Sequence, residues 1–311
     1  MAWESLRNAV VSETAENLGQ NVQAFNAASN GGIVLSAPNY IGDFVDAVMF
    51  GANDVGAVRD RSTGAGTATA TQVTQANNTK ISVAGRFGPL AWNAQDPAWQ
   101  GASESGIVQM LSEKTSEYIL KFQLNNSIAA AVGAISNAND AVNDVSASAG
   151  ISYSALNNTM ALLGDASMST ACVICNGVSY HKFVGDALGN SKELFDYQGI
   201  QVTNFMGKPF VVVDAPSLTV STTDYNVLVL NPAGITVENQ GSPYIGMIEK
   251  TGDNITKEYQ ADFSFDLGLK MFKYSGTASP TAAELATGTN WTANYSSAKN
   301  GPGALLVADQ S

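Results

Sequence analysis

The chain has 311 residues, of which 45% are hydrophobic and only 14% charged, against about 25% charged in an ordinary soluble domain. Its formal net charge of −12 argues against tight gripping of nucleic acid, which needs lysine and arginine on the phosphates. Length and apolar content allow one large domain or two ordinary ones, and so few charges suit a chain that spends its life against neighbours.

Trp3, Leu6 and Val10 fall at helical spacing, so residues 1–32 are expected to be an extended or partly helical arm. The arm ends in a small, polar linker over 24–32. Its first twenty residues lack the basic stretch and apolar core of a signal peptide. Residues 33–35 predict a short strand, interrupted by Pro38, after which Tyr40, Phe44, Ala47 and Val48 recur at helical spacing. Residues 51–99 alternate Thr and Val with small residues and hold little that could form a core. They predict a long exposed two-stranded hairpin, bending near 62–66 or 76–79. An isolated ribbon of two strands is marginal in water, so another chain is expected beneath it.

Residues 103–136 carry the strongest helical pattern. Ser103 can cap the helix and Glu104 suits its first turn. Ile107, Leu111, Tyr118, Phe122, Ala129 and Val132 form an apolar stripe about 50 Å long at a rise of 1.5 Å per residue. Gly133 and the polar residues after it are expected to end the helix. Residues 137–149 read as a polar loop, and 152–164 as a second amphipathic helix with Leu156, Met160 and Leu163 on one face. Residues 171–175 read as a short buried strand and 176–188 as a third helix. From Gly199 the period becomes two. Strands flanking 206–208 predict a hairpin, and 225–232 predicts a further strand, followed by 234–240. Residues 244–250 and 255–274 predict another hairpin, with a second arm long enough to run through more than one sheet. The tail 276–311 is rich in Thr, Ala, Ser and Gly, with weak periodicity.

Residue types for chemistry are scarce. His181 is the one histidine, whereas nucleophilic triads and most transition-metal sites use at least one and often several. It reads as a partly buried surface residue. Cys172-Val-Ile-Cys175 spells C-x-x-C but has no further zinc ligands at suitable spacing. It lies in an apolar strand, where residues three apart face opposite sides, so it reads as two small buried residues. Two cysteines make no disulfide framework and point to a reducing compartment. Gly64 and Gly66 lack the context of a phosphate loop, and 251–254 resembles a calcium-loop fragment without its closing Glu. Nothing brings Asp43, Asp46 and Asp60 together. No run of 18 apolar residues predicts a membrane span. No catalytic, metal or cofactor site is expected, and the chain is not expected to be an enzyme. All four arginines (Arg7, Arg59, Arg61 and Arg86) lie in the first 86 residues. Scattered arginines are ordinarily solvated surface, yet arginine is enriched at interfaces. These four, with Lys80, are the candidate inter-subunit contacts.

The order of parts resembles the major capsid protein of tailed bacteriophages, with the α+β, Hong Kong 97-like capsid fold. Residues 31–50 look like the junction of arm and peripheral domain, and the 103–136 helix looks like the spine helix. Residues 169–187 look like the strand and helix of the axial domain, and 199–215 like its central hairpin. The resemblance implies an arm and junction over 1–50 and an extended loop across the neighbouring subunit over 51–99. It implies a peripheral domain from 100–149 and 236–275 and an axial domain over 150–235. The tail 276–311 departs from the family by exceeding the usual end of the fold, and is expected to be a C-terminal extension that clamps a neighbour or reaches the outer surface. The resemblance further implies assembly with itself as hexamers and pentamers of an icosahedral shell around double-stranded DNA. The virion would be assembled in the host cytoplasm, with no membrane, and a portal and a decoration protein are candidate partners. The arm is too short for the scaffolding segment that some relatives carry, so scaffolding is expected from a separate protein. Some relatives join a loop lysine to an asparagine. Lys80 is the only lysine of the loop region, and one lysine is thin ground for such a crosslink. An encapsulin-type compartment holding a cargo enzyme is the alternative on the same fold. A small hydrolase or binding domain is the alternative from another class.

Overall fold

The computed structural model describes residues 2–36, 44–51, 74–93, 104–138, 140–190, 204–205, 207–241, 243–295 and 297–309. Ala2–Ala28 is one continuous helix, α1. The small residues from 24 to 28, expected to be linker, extend it. The turn is confined to residues 29–32, where Asn30 and Gly31 take φ of 48° and 75° and the Ser29 N–H donates to the Phe25 carbonyl. A positive φ just past the last turn is the usual way to end a helix.

Helix α2 (Glu104–Ala138) has 35 residues and is about 50 Å long. Ser103 lies outside the described residues. Gly133 does not end the helix as expected. It marks where the backbone of the C-terminal region presses on α2: a Cβ at 133 would lie 2.1 Å from the Ala286 carbonyl oxygen, and one at Gly288 would lie 2.4 Å from the Gly133 oxygen. The missing side chain serves close approach, at a helical cost of about 1 kcal/mol. Further helices are α3 (Tyr153–Ala161), α4 (Gly177–Asn190) and α5 (Ala282–Ala286). The Ser152 hydroxyl caps α3 by accepting from the Ala155 N–H. The Asn176 Oδ1 accepts from the Ser179 N–H at 2.8 Å at the start of α4, as side chains at this position commonly do.

The strands, numbered along the chain, begin with β1 (Ile33–Ser36), β2 (Phe44–Gly51), β3 (Thr74–Asn93), β4 (Val142–Asp144), β5 (Cys172–Cys175), β6 (Asn204–Phe205) and β7 (Lys208–Val212). They continue with β8 (Asp224–Leu230), β9 (Ile235–Asn239), β10 (Tyr244–Lys250), β11 (Thr256–Leu269), β12 (Phe272–Tyr274), β13 (Trp291–Ala293) and β14 (Gly303–Asp309). Among the described residues they make two sheets. The first runs β1-β9-β11-β3-β12-β13, with β10 added to β11 and β2 to β3; the second runs β4-β14-β8-β5-β7-β6.

Four expectations change. The helical spacing at 44–48 gives way to strand β2, because Phe44 to Gly51 pair residue for residue with Ile81 to Thr74, and cross-strand pairing overrides so short a helical pattern. Tyr40 lies outside the described residues. The hairpin bend is not at 76–79, which lies inside β3; 62–66 lies outside the described residues. The loop 137–149 holds strand β4, paired in parallel with β14. The arm 255–274 stays in one sheet and divides into β11 and β12 at Met271, whose φ is 59°.

The tail is the largest departure. Its last strand and two of its side chains pack into the core of their own chain. Strand β14 lies between β4 and β8, and Ala304, Leu305, Leu306 and Ala308 are fully buried. Leu285 and Trp291 are buried beside α2, with the Trp291 Nε1–H donating to the Leu285 carbonyl at 2.8 Å.

One core spans both sheets and the C-terminal half of α2. Between 123 and 135 this helix is buried on almost every side, as a helix enclosed between layers must be. A smaller core lies at its N-terminal half, where Val10 of α1, Val108 and Leu111 of α2, and Ile245, Tyr259 and Ala261 of the first sheet meet. Inside it the Tyr259 hydroxyl and Thr115 Oγ1 share a 2.7 Å hydrogen bond.

Candidate assembly surfaces

Alternation along β11 gives the first sheet two unlike faces. Phe263, Phe265, Leu267 and Leu269 are buried, with Phe122 of α2 standing edge-on to Phe263 and Phe265 at 5.5 and 6.2 Å between ring centres. The intervening residues, Glu258, Gln260, Asp262, Ser264 and Asp266, face away from α2. Basic residues on neighbouring strands meet two of these acids and one on β9. Lys250 Nζ lies 2.6 Å from Glu258 Oε1, Arg86 Nε lies 3.0 Å from Asp262 Oδ1, and Lys80 pairs with Glu238 of β9. The first two pairs are open to water and are worth about 0–1 kcal/mol each. The Lys80–Glu238 pair is shielded, with side chains 17% and 11% exposed.

Asp266 is the acid at the buried end of this series. Its Oδ1 accepts from Gln240 Nε2 at 2.6 Å. Its Oδ2 is shut off from solvent and has no hydrogen-bond partner among the described residues. Burial pushes the Asp266 carboxyl above the ordinary carboxylate range; the Gln240 hydrogen bond opposes this, Glu238 adds to it and Lys80 works against it.

The second surface is a ribbon. From Thr74 to Ile81, β3 pairs with β2; from Ile81 to Asn93 it pairs with β11. Among the described strands β2 has no neighbour but β3. An unpaired strand edge of eight residues is a template for another chain.

The sequence candidates are dispersed. Arg7 is exposed on α1, with its Nη2 3.4 Å from Asn8 Oδ1. Arg59 and Arg61 lie outside the described residues. Lys80 and Arg86 stand on the same sheet face, and each is held by a carboxylate of its own chain. Sequence reasoning missed those carboxylates; the period-two polar column from Glu258 to Asp266 carries a signal for Asp262, while Glu238 lies on another strand. His181 is exposed on α4. Cys172 and Cys175 are free and buried, and burial pushes both thiols up to about 12. Among the described residues no cluster of three His, Cys, Asp or Glu side chains could hold a metal ion, and no helix is long and apolar enough to cross a membrane.

No curated protein matches the chain. Solved structures do. The capsid asymmetric unit of cyanophage Pam1 is similar at a TM-score of 0.55 and 11% identity, over 88% of this chain and 86% of that one. A chain of Microbacterium phage Oxtober96 is similar at 0.55 and 12% identity, over 90% of each. A holo encapsulin complex from Synechococcus elongatus is similar at 0.54 and 10% identity, over 89% and 86%. At such identities the likeness shows the fold, which is the Hong Kong 97-like capsid fold expected from the order of elements. The family comes from the sequence itself: the profile of the major capsid protein 13-like family matches residues 5–305. With that match running over almost the whole length of a chain that also has the capsid fold, the protein belongs to the major capsid protein 13-like family and serves as a subunit of a capsid shell.

Proposed function

We propose that the chain builds an icosahedral shell around a phage double-stranded DNA genome, packing as hexamers and pentamers and carrying out no enzymatic reaction. The observation that supports this most is the ribbon, an eight-residue strand pairing that leaves one edge of β2 open among the described strands. In this reading the residues between β2 and β3, with Arg59 and Arg61, lie across the neighbouring subunit, and Arg7 contacts another copy. The spine helix and first sheet form the peripheral part. Residues 150–235 form the axial part, joined by β4 and β14. The net charge of −12 suits a wall that confines DNA without gripping it. A separate scaffolding protein, a portal and a decoration protein would complete a virion assembled in the host cytoplasm.

Deleting residues 57–68 tests the role of the ribbon. The shortened chain is expected to stay folded and soluble but to form no closed shells in electron micrographs. Normal particles from it would remove the ribbon from assembly. A second reading, an encapsulin-type compartment, draws support from the fold shared with the encapsulin of Synechococcus elongatus. Nuclease-protected DNA in purified particles supports the virus; particles that hold protein cargo and no genome support the compartment.

A further inference from the structure

The polar face of the first sheet holds an arrangement that packing alone does not call for. Three bases meet three acids there, Lys250 with Glu258, Arg86 with Asp262 and Lys80 with Glu238. Asp266 is a fourth acid, and the cation that acts on it is Lys80, which already pairs with Glu238. Asp266 is fully buried, so a cation from solvent or from a neighbour does not reach it, whereas a proton does. Register sets it directly opposite Glu238 on β9 and opposite Ser82 on β3. The charged groups facing it are therefore Glu238 and Lys80. Ser82, and Ser36 of β1 beside Glu238, add no charge.

The geometry is built, not incidental. The aliphatic stem of Lys80 crosses β11 at Gly268, where a Cβ would lie 2.7 Å from Lys80 Cγ and 2.8 Å from Thr236 Oγ1. Only glycine leaves room for the lysine to reach Glu238 along this path. One ammonium group thus stands before two buried carboxylates. Lys80 is also the root of the ribbon. It pairs with Val45 of β2, and the next residue, Ile81, is where β3 takes up its pairing with Leu267 of β11.

We infer that Lys80, Glu238 and Asp266 form a proton-operated latch at the root of the ribbon. With Asp266 protonated, the group of three is neutral, and Lys80 is committed to Glu238, tying the root of β3 to β9. With Asp266 ionised, the group carries a buried surplus negative charge, the two carboxylates compete for one ammonium, and the root loosens. The chemistry rests on this chain alone; only its use in assembly rests on the shell reading.

The folded chain holds the Asp266 proton more tightly than the unfolded chain, because burial raises its folded-state pKa. Its contribution to stability is then fully present below the ordinary carboxylate range near 4 and is lost as pH rises through the folded-state value. The latch is firm below the folded-state value and slack above it.

The test compares thermal melting of the unaltered protein with that of Asp266→Asn from about pH 4 to about pH 8. Asparagine keeps the shape and cannot ionise. The variant is expected to melt about 2–4 °C higher at the alkaline end, with the gap closing as pH falls. Glu238→Gln is the second variant. It frees Lys80 for Asp266, turns Asp266 into the paired acid, and should reverse the sign, so that acidification now destabilises. Hydrogen exchange of the peptide covering 74–83, corrected for intrinsic base catalysis, should quicken with pH in the unaltered protein and stay flat in Asp266→Asn. A gap independent of pH, or a Glu238→Gln profile with the original sign, overturns the latch; if Asp266→Asn does not fold, the Glu238→Gln sign decides alone. Particles and unassembled subunits are both measurable, so a failed shell reading shows as missing particles and a failed latch as a flat difference.

Discussion

Replacing Gly133 by alanine tests whether the C-terminal region is part of the core or an appendage. In a free helix the change stabilises by about 1 kcal/mol, since glycine is the poorer helix former. Here the new Cβ lands 2.1 Å from the Ala286 oxygen, against 3.4 Å for ordinary contact, so backbone must give way by roughly 1 Å. Neither side is a flexible side chain. Overpacking of this kind costs about 1–3 kcal/mol, and rigid backbone on both sides puts it at the upper end. Shifting α5 also disturbs Leu285, Trp291 and the hydrogen bond between them. The net expectation is a loss of about 1–2 kcal/mol. Gly185→Ala is the matched control, because Gly185 lies within α4 and a Cβ there meets nothing within 4 Å; it should gain up to about 1 kcal/mol. Urea unfolding of soluble chains, followed by tryptophan fluorescence, reads both midpoints. If Gly133→Ala is as stable as Gly185→Ala, the tail moves freely over α2 and its assignment to the core is wrong.

Two further outcomes follow from burial. With both thiols at about 12, only about one part in ten thousand of each is thiolate at pH 8; iodoacetamide should leave Cys172 and Cys175 unmodified in the folded chain and label both in urea, as intact mass would show, and rapid labelling of the native protein would refute their burial. Leu306→Ala removes a fully buried side chain from β14 and should cost about 2–5 kcal/mol; a change under 1 kcal/mol in the same urea assay would mean that β14 is not a working strand of the second sheet.

The elements legible in the sequence are those whose pattern is local. Helix α2 shows through its stripe, α3 through Leu156, Met160 and Leu163 on one side, and the hairpin of β10 and β11 through period two on both sides of a polar turn. Elements defined by distant partners were not legible. Phe44, Ala47 and Val48 fit a helical face, and only pairing with a strand some thirty residues later makes them β2. Strand β4 is three residues long and exists because β14, over 150 residues further on, lies beside it. Gly133 looks like a stop because the signal for a stop and the signal for close approach are the same residue. The sheet-face cluster was half visible. Lys80 and Arg86 stood out as bases, but their acids follow from register, which a sequence does not state.

The same long-range pairings explain how one chain serves a shell. The main core draws on both sheets, on α2 and on the tail, so the two sheets are joined through side chains that cannot separate without opening the middle of the molecule. The smaller core is held by far fewer buried residues, at the far end of α2. Local opening costs least where buried contacts are few. That end, where α1 meets β10 and β11, is therefore the part of the molecule that opens at least cost. The ribbon root joins the main sheet through Lys80 and Ile81, beside the large core, and its polar latch faces away from α2. The fold thus sets a centre tied by its own C-terminus against a ribbon root whose hold on that centre, in the proposed latch, is set by a proton.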